Sequence, residues 1–147
     1  MKRLDKIEES KIYKSTTTVL SDVRSFVNEH AYNFGFGDKE ISEIILAVDE
    51  ACTNVIKHAY KGNLEAEFEV RVIASGIEFA VTVRDWGESF KPEEVPVPNI
   101  KEKMKVHKAG GLGIFLMRKL MDTVEYQEKG AANEVRLVRY LKNEPKA

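Results

Sequence analysis

Two stretches of the chain alternate apolar and charged residues, and this alternation restricts the fold more than any other feature. Phe68, Val70 and Val72 alternate with Glu67, Glu69 and Arg71. Beyond Ser75-Gly76, the residues Ile77, Phe79, Val81 and Val83 alternate with Glu78, Thr82 and Arg84. Successive strand side chains point to opposite faces, so this pattern describes a hairpin with one apolar face and one wet face. A second pair, "TVEYQ" (123–127) and "NEVRLVRYL" (133–141), joined around Gly130, repeats the arrangement. Hairpins at 64–84 and 123–141 imply a largely antiparallel sheet that needs cover on one face only.

The cover comes from segments with helical spacing. Apolar positions fall at 19, 20, 23, 26, 27, 30 and 31, and again at 41, 44, 45, 48, 52, 55, 56 and 59. Both series follow a period near 3.6. "NFGFGD" (33–38) separates them, Asp38 is placed to cap the second helix, and Gly62 is placed to end it. A third helix begins in "GGLGIFLMRKLM", and "KIYKSTTT" (11–18) reads as a first strand. The predicted order is β, α, α, β, β, loop, α, β, β. It implies an α+β fold, a two-layer α/β sandwich whose mixed, mostly antiparallel sheet is covered on one face by helices.

The 147 residues suit one domain, with 43% hydrophobic and 32% charged residues. A net charge of -1 gives no basic excess for direct nucleic-acid contact. The single cysteine, Cys52, lies in the second helix pattern; it implies a reducing compartment and a core role for the thiol. The first residues, "MKRLDKIEES", contain no apolar signal region, and the run "IILAV" is far too short to span a membrane. The expectation is a soluble cytoplasmic protein without membrane contact.

Three polar islands interrupt this plan. Glu50, Asn54 and His58 recur every four residues along the second helix, off its apolar stripe. Glu50 and Asn54, at i and i+4, project together, and Asn is unfavourable inside a helix without a reason. The second island, "VRDWGESF", ends a strand in Asp85 and Gly87. A carboxylate there accepts a hydrogen bond from an amino group, and a glycine lets a flat ring approach the backbone. The third, "AGGLGIF", sets Gly110, Gly111 and Gly113 before an amphipathic helix, where free backbone N–H groups and the helix dipole suit phosphate. It is neither a Walker loop nor a dinucleotide fingerprint. Between the last two islands, residues 91–109 form a long segment with prolines first and lysines last. Such a loop in a small domain is usually functional or disordered.

Taken together and in this order, the islands resemble the ATP-binding (Bergerat-type) fold shared by histidine kinases, Hsp90, gyrase B and MutL. Glu50-x-x-x-Asn54 corresponds to the N box, Asp85-x-Gly87 to the first glycine box and Gly111-Leu112-Gly113 to the second. Within that superfamily, "VDEACTNVIKHAY", "RDWGESFKP" and "GGLGIFLMRKLMDTVEY" are similar to the small anti-sigma factor serine-protein kinases of the RsbW and SpoIIAB kind. The likeness runs over roughly residues 10 to 141.

The resemblance implies ATP and Mg²⁺ as cofactors. Asn54 would be the Mg²⁺ ligand and Glu50 the general base toward an attacking serine. Asp85 would read the adenine amino group, with Gly87 against the ring. Gly110, Gly111, Leu112, Gly113 and Ile114 would meet the phosphates, and residues 91–109 would be the ATP lid. Lys101, Lys103, Lys105, His107 and Lys108 are lid cations for the triphosphate, Lys108 being next to the second box; His58 is a helix-flank residue. The implied partners are a sigma factor and a STAS-type anti-sigma factor antagonist, with homodimerisation through the first strand.

Some positions depart from the wider pattern. Ser89 replaces a second glycine, Ala109 stands where some kinases carry Arg, and Asn133 is the nearest candidate for a late-strand Thr beside the adenine. The alternative to a kinase is a nucleotide-gated partner-switching module with little or no phosphoryl transfer.

Overall fold

A computed structural model of the chain describes residues 6–88 and 111–142. Strand β1 (Ile7–Lys14) leads through a short 3-10 turn (Thr17–Val19) into helix α1 (Leu20–Phe34). Helix α2 (Asp38–Asn54) continues into a π-helical turn (Val55–Ala59), and strands β2 (Glu67–Ser75) and β3 (Glu78–Asp85) come next. Helix α3 (Gly111–Leu120) precedes strands β4 (Thr123–Lys129) and β5 (Ala132–Tyr140). The five strands form one sheet in the order β1-β2-β3-β5-β4. All four pairings are antiparallel, so the parallel component of a mixed sheet is missing among the described strands.

Register explains the two layers. Tyr13 pairs with Phe68, Val70 with Val83, Val83 with Val135, and Val135 with Tyr126, which puts all of them on the inner face. They join a single core with Val23, Phe26 and Val27 of α1, Ile44, Val48 and Cys52 of α2, and Ile114 and Met117 of α3. The rings of Phe34, Phe36 and Phe79 meet at centroid distances of 5.5–5.8 Å and fill the end of the core beneath the α1–α2 turn. The outer face is a lattice of charges. Arg71 pairs with Glu8 at 2.8 Å and Glu69 at 3.2 Å, Arg84 with Glu134 at 2.8 Å, and Arg136 with Glu78 and Glu125. No helix among the described residues is long and apolar enough to cross a membrane.

Three boundaries differ from the sequence reading. The first strand lies earlier, at Ile7–Lys14, because the Thr-rich segment turns: Thr16 and Thr18 share a hydroxyl hydrogen bond of 2.6 Å. Its inward residues include Glu9 and Lys11, which hid the alternation; they meet His30 at 2.9 Å and the Phe26 ring at 5.2 Å. Asp38 does not cap α2 but is its first residue; the Gly37 N–H instead donates to Glu40 Oε1 at 2.8 Å. Ile77 lies outside the hairpin's apolar face, exposed just before β3 begins.

The π turn sets the path of the chain beyond Asn54. Its carbonyls are closed by longer bonds, with the Tyr60 N–H donating to Val55 O at 3.0 Å and the Gly62 N–H to Ile56 O at 3.2 Å. Gly62 has φ 84°, which suits a glycine at the exit. The turn's last carbonyl, Ala59 O, accepts the Glu88 N–H at 2.9 Å. Here a Cβ on Gly87 would lie 2.4 Å from Ala59 O and 2.8 Å from the Tyr60 ring. Glycine at 87 is therefore demanded by the backbone of the π turn. Gly87→Ala must push the end of β3 away from the helix; overpacking of this kind costs about 1–3 kcal/mol. Urea unfolding should show that loss, and unaltered stability would contradict the close approach.

Candidate functional site

The N-box side chains do not project into open solvent. Helix α2 lies between α1 and α3, and burying two sides explains why Ala47 and Ala51 are buried as well as the predicted stripe. Glu50 and Asn54 are half-buried on the side facing α3. A Cβ on Gly113 would sit 2.8 Å from Glu50 Oε2 and 3.7 Å from Asn54 Nδ2. The second glycine box and the N box are thus in direct contact, and glycine at 113 leaves room for both polar ends.

Among the described residues, Asn54 Nδ2 is buried without a hydrogen-bond partner. An unpaired buried amide is unfavourable by roughly 1–3 kcal/mol, so this N–H group calls for an acceptor that the described residues do not supply. The amide's carbonyl oxygen is a hard donor of the type divalent Mg²⁺ accepts. The unpaired Nδ2 is a donor suited to a phosphate oxygen, and the carbonyl oxygen of the same amide is the atom that would meet a phosphate-bound cation. Among the described residues no cluster of three or more His, Cys, Asp or Glu side chains is placed to hold a metal. The oxygens of a bound phosphate would complete the set.

Gly111 and Gly113 lie within the first turn of α3 rather than in a turn before it. The first N–H groups of a helix have no intrahelical partner. Ile114 is buried in the core, which roots the turn. Gly110, Lys108, the other lid lysines, His107, Ser89 and Ala109 lie outside the described residues, as does the predicted lid at 91–109; the Leu112 side chain does too.

At the other end, Asp85 is buried at the end of β3, opposite Asn133 on β5. Asp85 Oδ1 accepts the Gly87 N–H at 2.9 Å and Asn133 Nδ2 at 3.0 Å; Asn133 Nδ2 also donates to Gly87 O at 3.0 Å. Both hydrogen bonds to Asp85 from the described residues end on Oδ1. Burial pushes the Asp85 carboxyl above its ordinary range, while Asn133 and the Gly87 N–H pull the other way.

Asn133 was legible as a candidate from its place on the last strand, and its amide clamps the first glycine box from across the sheet. Tyr60 was not singled out from the sequence. Its hydroxyl donates to Glu67 O at 2.6 Å and accepts the Trp86 N–H at 2.8 Å. The only sequence signal was an aromatic residue directly after the helix stripe. His58 is half-buried in the π turn, in keeping with a helix-flank residue.

Comparison with known proteins gives these contacts a family. A profile of the histidine kinase-like ATPase domain matches residues 13–139. The chain is 35% identical over 103 residues to serine-protein kinase RsbW of Listeria monocytogenes serovar 1/2a, covering 67% of this chain and 66% of that one. It is 33% identical over 128 residues to serine-protein kinase RsbW of Bacillus pumilus, covering 83% and 78%. In structure it is similar to the RsbU and RsbW domains of a Mycobacterium tuberculosis protein, with a TM-score of 0.63 at 14% identity over 91% of this chain and 32% of that one. It is also similar to a chain of the SiaB–SiaC complex from Pseudomonas aeruginosa, with a TM-score of 0.62 at 12% identity and 88% coverage of both. At these identities the two structures speak to the fold. The sequence matches carry the assignment: the chain belongs to the histidine kinase-like ATPase family and, within it, groups with the RsbW serine-protein kinases.

Proposed function

We propose that the chain is a single ATPase domain acting as an ATP-dependent serine-protein kinase, one that switches between protein partners. The observation that carries this reading is the meeting of Glu50 and Asn54 with Gly113. That contact joins a carboxylate, an unpaired amide and the start of a helix where a terminal phosphate would lie. Asn54 would hold Mg²⁺ through its amide oxygen, and the bound ion would offset charge on the phosphates. Glu50 accepts the proton of a serine hydroxyl as its oxygen bonds to the γ-phosphorus. The bond from that phosphorus to the ADP oxygen breaks, leaving phosphoserine and ADP. The N–H groups of Gly110, Gly111, Leu112, Gly113 and Ile114, with Lys108, would face the phosphates. Asp85 would read the adenine amino group, with Gly87 beside it.

The relatives named serine-protein kinase support the same chemistry. The acceptor we propose is a serine on a STAS-type anti-sigma factor antagonist, and the sequestered partner is a sigma factor. A cytoplasmic homodimer paired through the β1 edge fits, because β1 is an outer strand of the sheet.

Asn54 and Glu50 separate binding from transfer. Asn54→Ala should weaken ATP binding in the presence of Mg²⁺ by at least about tenfold, equivalent to losing one charge-assisted contact. Calorimetry with and without Mg²⁺ measures it, and undiminished Mg-dependent affinity would defeat the metal assignment. Glu50→Gln should bind ATP within about twofold of the unmodified chain yet transfer phosphate to an antagonist about 10²–10⁴ times more slowly. Normal transfer by that variant would remove Glu50 as the base. If the unmodified chain binds Mg-ATP but phosphorylates no antagonist, the kinase reading fails in favour of a binding module.

Asp85→Asn tests the adenine end. The variant keeps an acceptor for Gly87 and Asn133 and sheds a buried charge, so its stability should equal or exceed that of the unmodified chain. Its amide would set a donor against the adenine amino group. ATP binding should therefore fall about tenfold or more and the preference for ATP over GTP should shrink. Unaltered ATP affinity and selectivity would exclude Asp85 from base recognition.

A further inference from the structure

We infer that Tyr60 is a positioning residue for the nucleotide site, holding the base-reading end of β3 at a fixed distance from the helix that carries Glu50 and Asn54. The inference rests on Asp85 as the adenine-reading group. Three consecutive amides at the end of β3 are each committed within the protein. The Trp86 N–H donates to Tyr60 Oη at 2.8 Å, the Gly87 N–H to Asp85 Oδ1 at 2.9 Å, and the Glu88 N–H to Ala59 O at 2.9 Å. The first and third of these bonds reach the end of the π turn that begins directly after Asn54. Tyr60 Oη also donates to Glu67 O at 2.6 Å, at the start of β2. One hydroxyl therefore joins three segments: the π turn, the first residue of β2 and the residue after Asp85. An Lys61–Glu88 ion pair of 2.8 Å lies outside the same junction and is exposed on both sides, so it adds little.

The consequence is geometric. A nucleotide that meets Asp85 with its base and Asn54 with its phosphates needs those two groups at one separation. The chain from Asn54 to Asp85 runs through a whole hairpin, which by itself fixes that separation loosely. The short path through Val55–Ala59, Tyr60 and Trp86 fixes it directly. A π turn adds a residue to the helix end and shifts the direction in which Tyr60 leaves it. Tyr60 also packs its ring where a Gly87 Cβ would be, at 2.8 Å, so the ring and the hydroxyl hold the same segment from two sides.

Tyr60→Phe retains the ring and removes the hydroxyl. Calorimetry should show ATP and ADP binding weakened about five- to tenfold, the range of one or two lost hydrogen bonds. The ATP-over-GTP ratio should fall, while transfer at saturating ATP stays within about twofold. Tyr13→Phe is the control, because Tyr13 Oη is buried in the core without a partner among the described residues; it should leave nucleotide binding unaltered. A Tyr60→Phe chain that melts at lower temperature but keeps its ATP affinity and its ATP-over-GTP ratio would overturn the inference. The Asp85→Asn variant distinguishes the two failures. If it loses selectivity while Tyr60→Phe does not, only the role of Tyr60 falls; if neither loses selectivity, the reading of Asp85 falls first. Hydrogen exchange at the Trp86 amide of the unmodified chain needs no variant: slow exchange supports the bond to Tyr60, and exchange at the rate of a free amide overturns it.

Discussion

The contact between α2 and α3 governs the rest of the molecule. A surface helix on a two-layer sandwich ordinarily buries one stripe and leaves the remainder wet. Here α2 also lies beneath the first turn of α3, with buried Ala47 and Ala51 on its sequence between the stripe residues. Glu50 and Asn54 consequently sit half-buried at a helix seam, and Asn54 Nδ2 has no partner among the described residues. A seam closed by two apolar side chains would be more stable. Under the proposed function the polar pair has a reason, a charged ligand beside it, and glycine at 113 lets α3 approach without a Cβ that would meet the Glu50 carboxylate at 2.8 Å.

The sheet makes this arrangement possible in a small domain. Its inner face is one continuous core, whereas Ala80 and Val138, buried on the outer face, lie outside that core. Around them, Arg71 reaches Glu8 of β1, Arg84 meets Glu134 of β5 and Arg136 reaches Glu78 of β3 and Glu125 of β4. Individually such pairs contribute little at a surface, but Arg84–Glu134 and Arg136–Glu125 stand directly opposite each other in the ladder and favour this register over slipped ones. The outer face therefore needs no second helical layer. All three helices are free to be on one side, where their ends can converge.

Much of this was legible because alternation and helical period are local properties. The two hairpins, the three helices and the polar residues of each box could be read from spacing alone. The misses arose where tertiary contact outweighs pattern. Glu9 and Lys11 face inward on β1 because His30 and Phe26 of α1 receive them, so the strand shows no alternation. Gly37 replaces Asp38 at the start of α2 because Glu40 reaches back to its N–H. The π turn left no trace in the apolar stripe, because it lies at the helix end, Val55–Ala59, and few positions follow it to be put out of phase. Tyr60, just past the last apolar position of the stripe, was not singled out, although its hydroxyl makes two backbone bonds.

The glycines show how one residue type answers to separate demands. The sequence suggested that Gly87 makes room for a flat ring, yet its Cβ direction is filled by the Ala59 carbonyl and the Tyr60 ring. Gly113 faces two side-chain ends instead, and a flexible carboxylate can move where a backbone carbonyl cannot. A methyl group at 87 would thus strain the scaffold, and one at 113 would displace the very groups assigned to chemistry. Both glycines fall in the proposed nucleotide-binding motifs, but one holds the fold together at the proposed base end while the other gives room to the side chains at the proposed phosphate end. That division arises from where α2 stops: its π turn supplies the backbone that meets Gly87, and its preceding turn supplies the side chains that meet Gly113. A single helix end therefore sets both limits of the site.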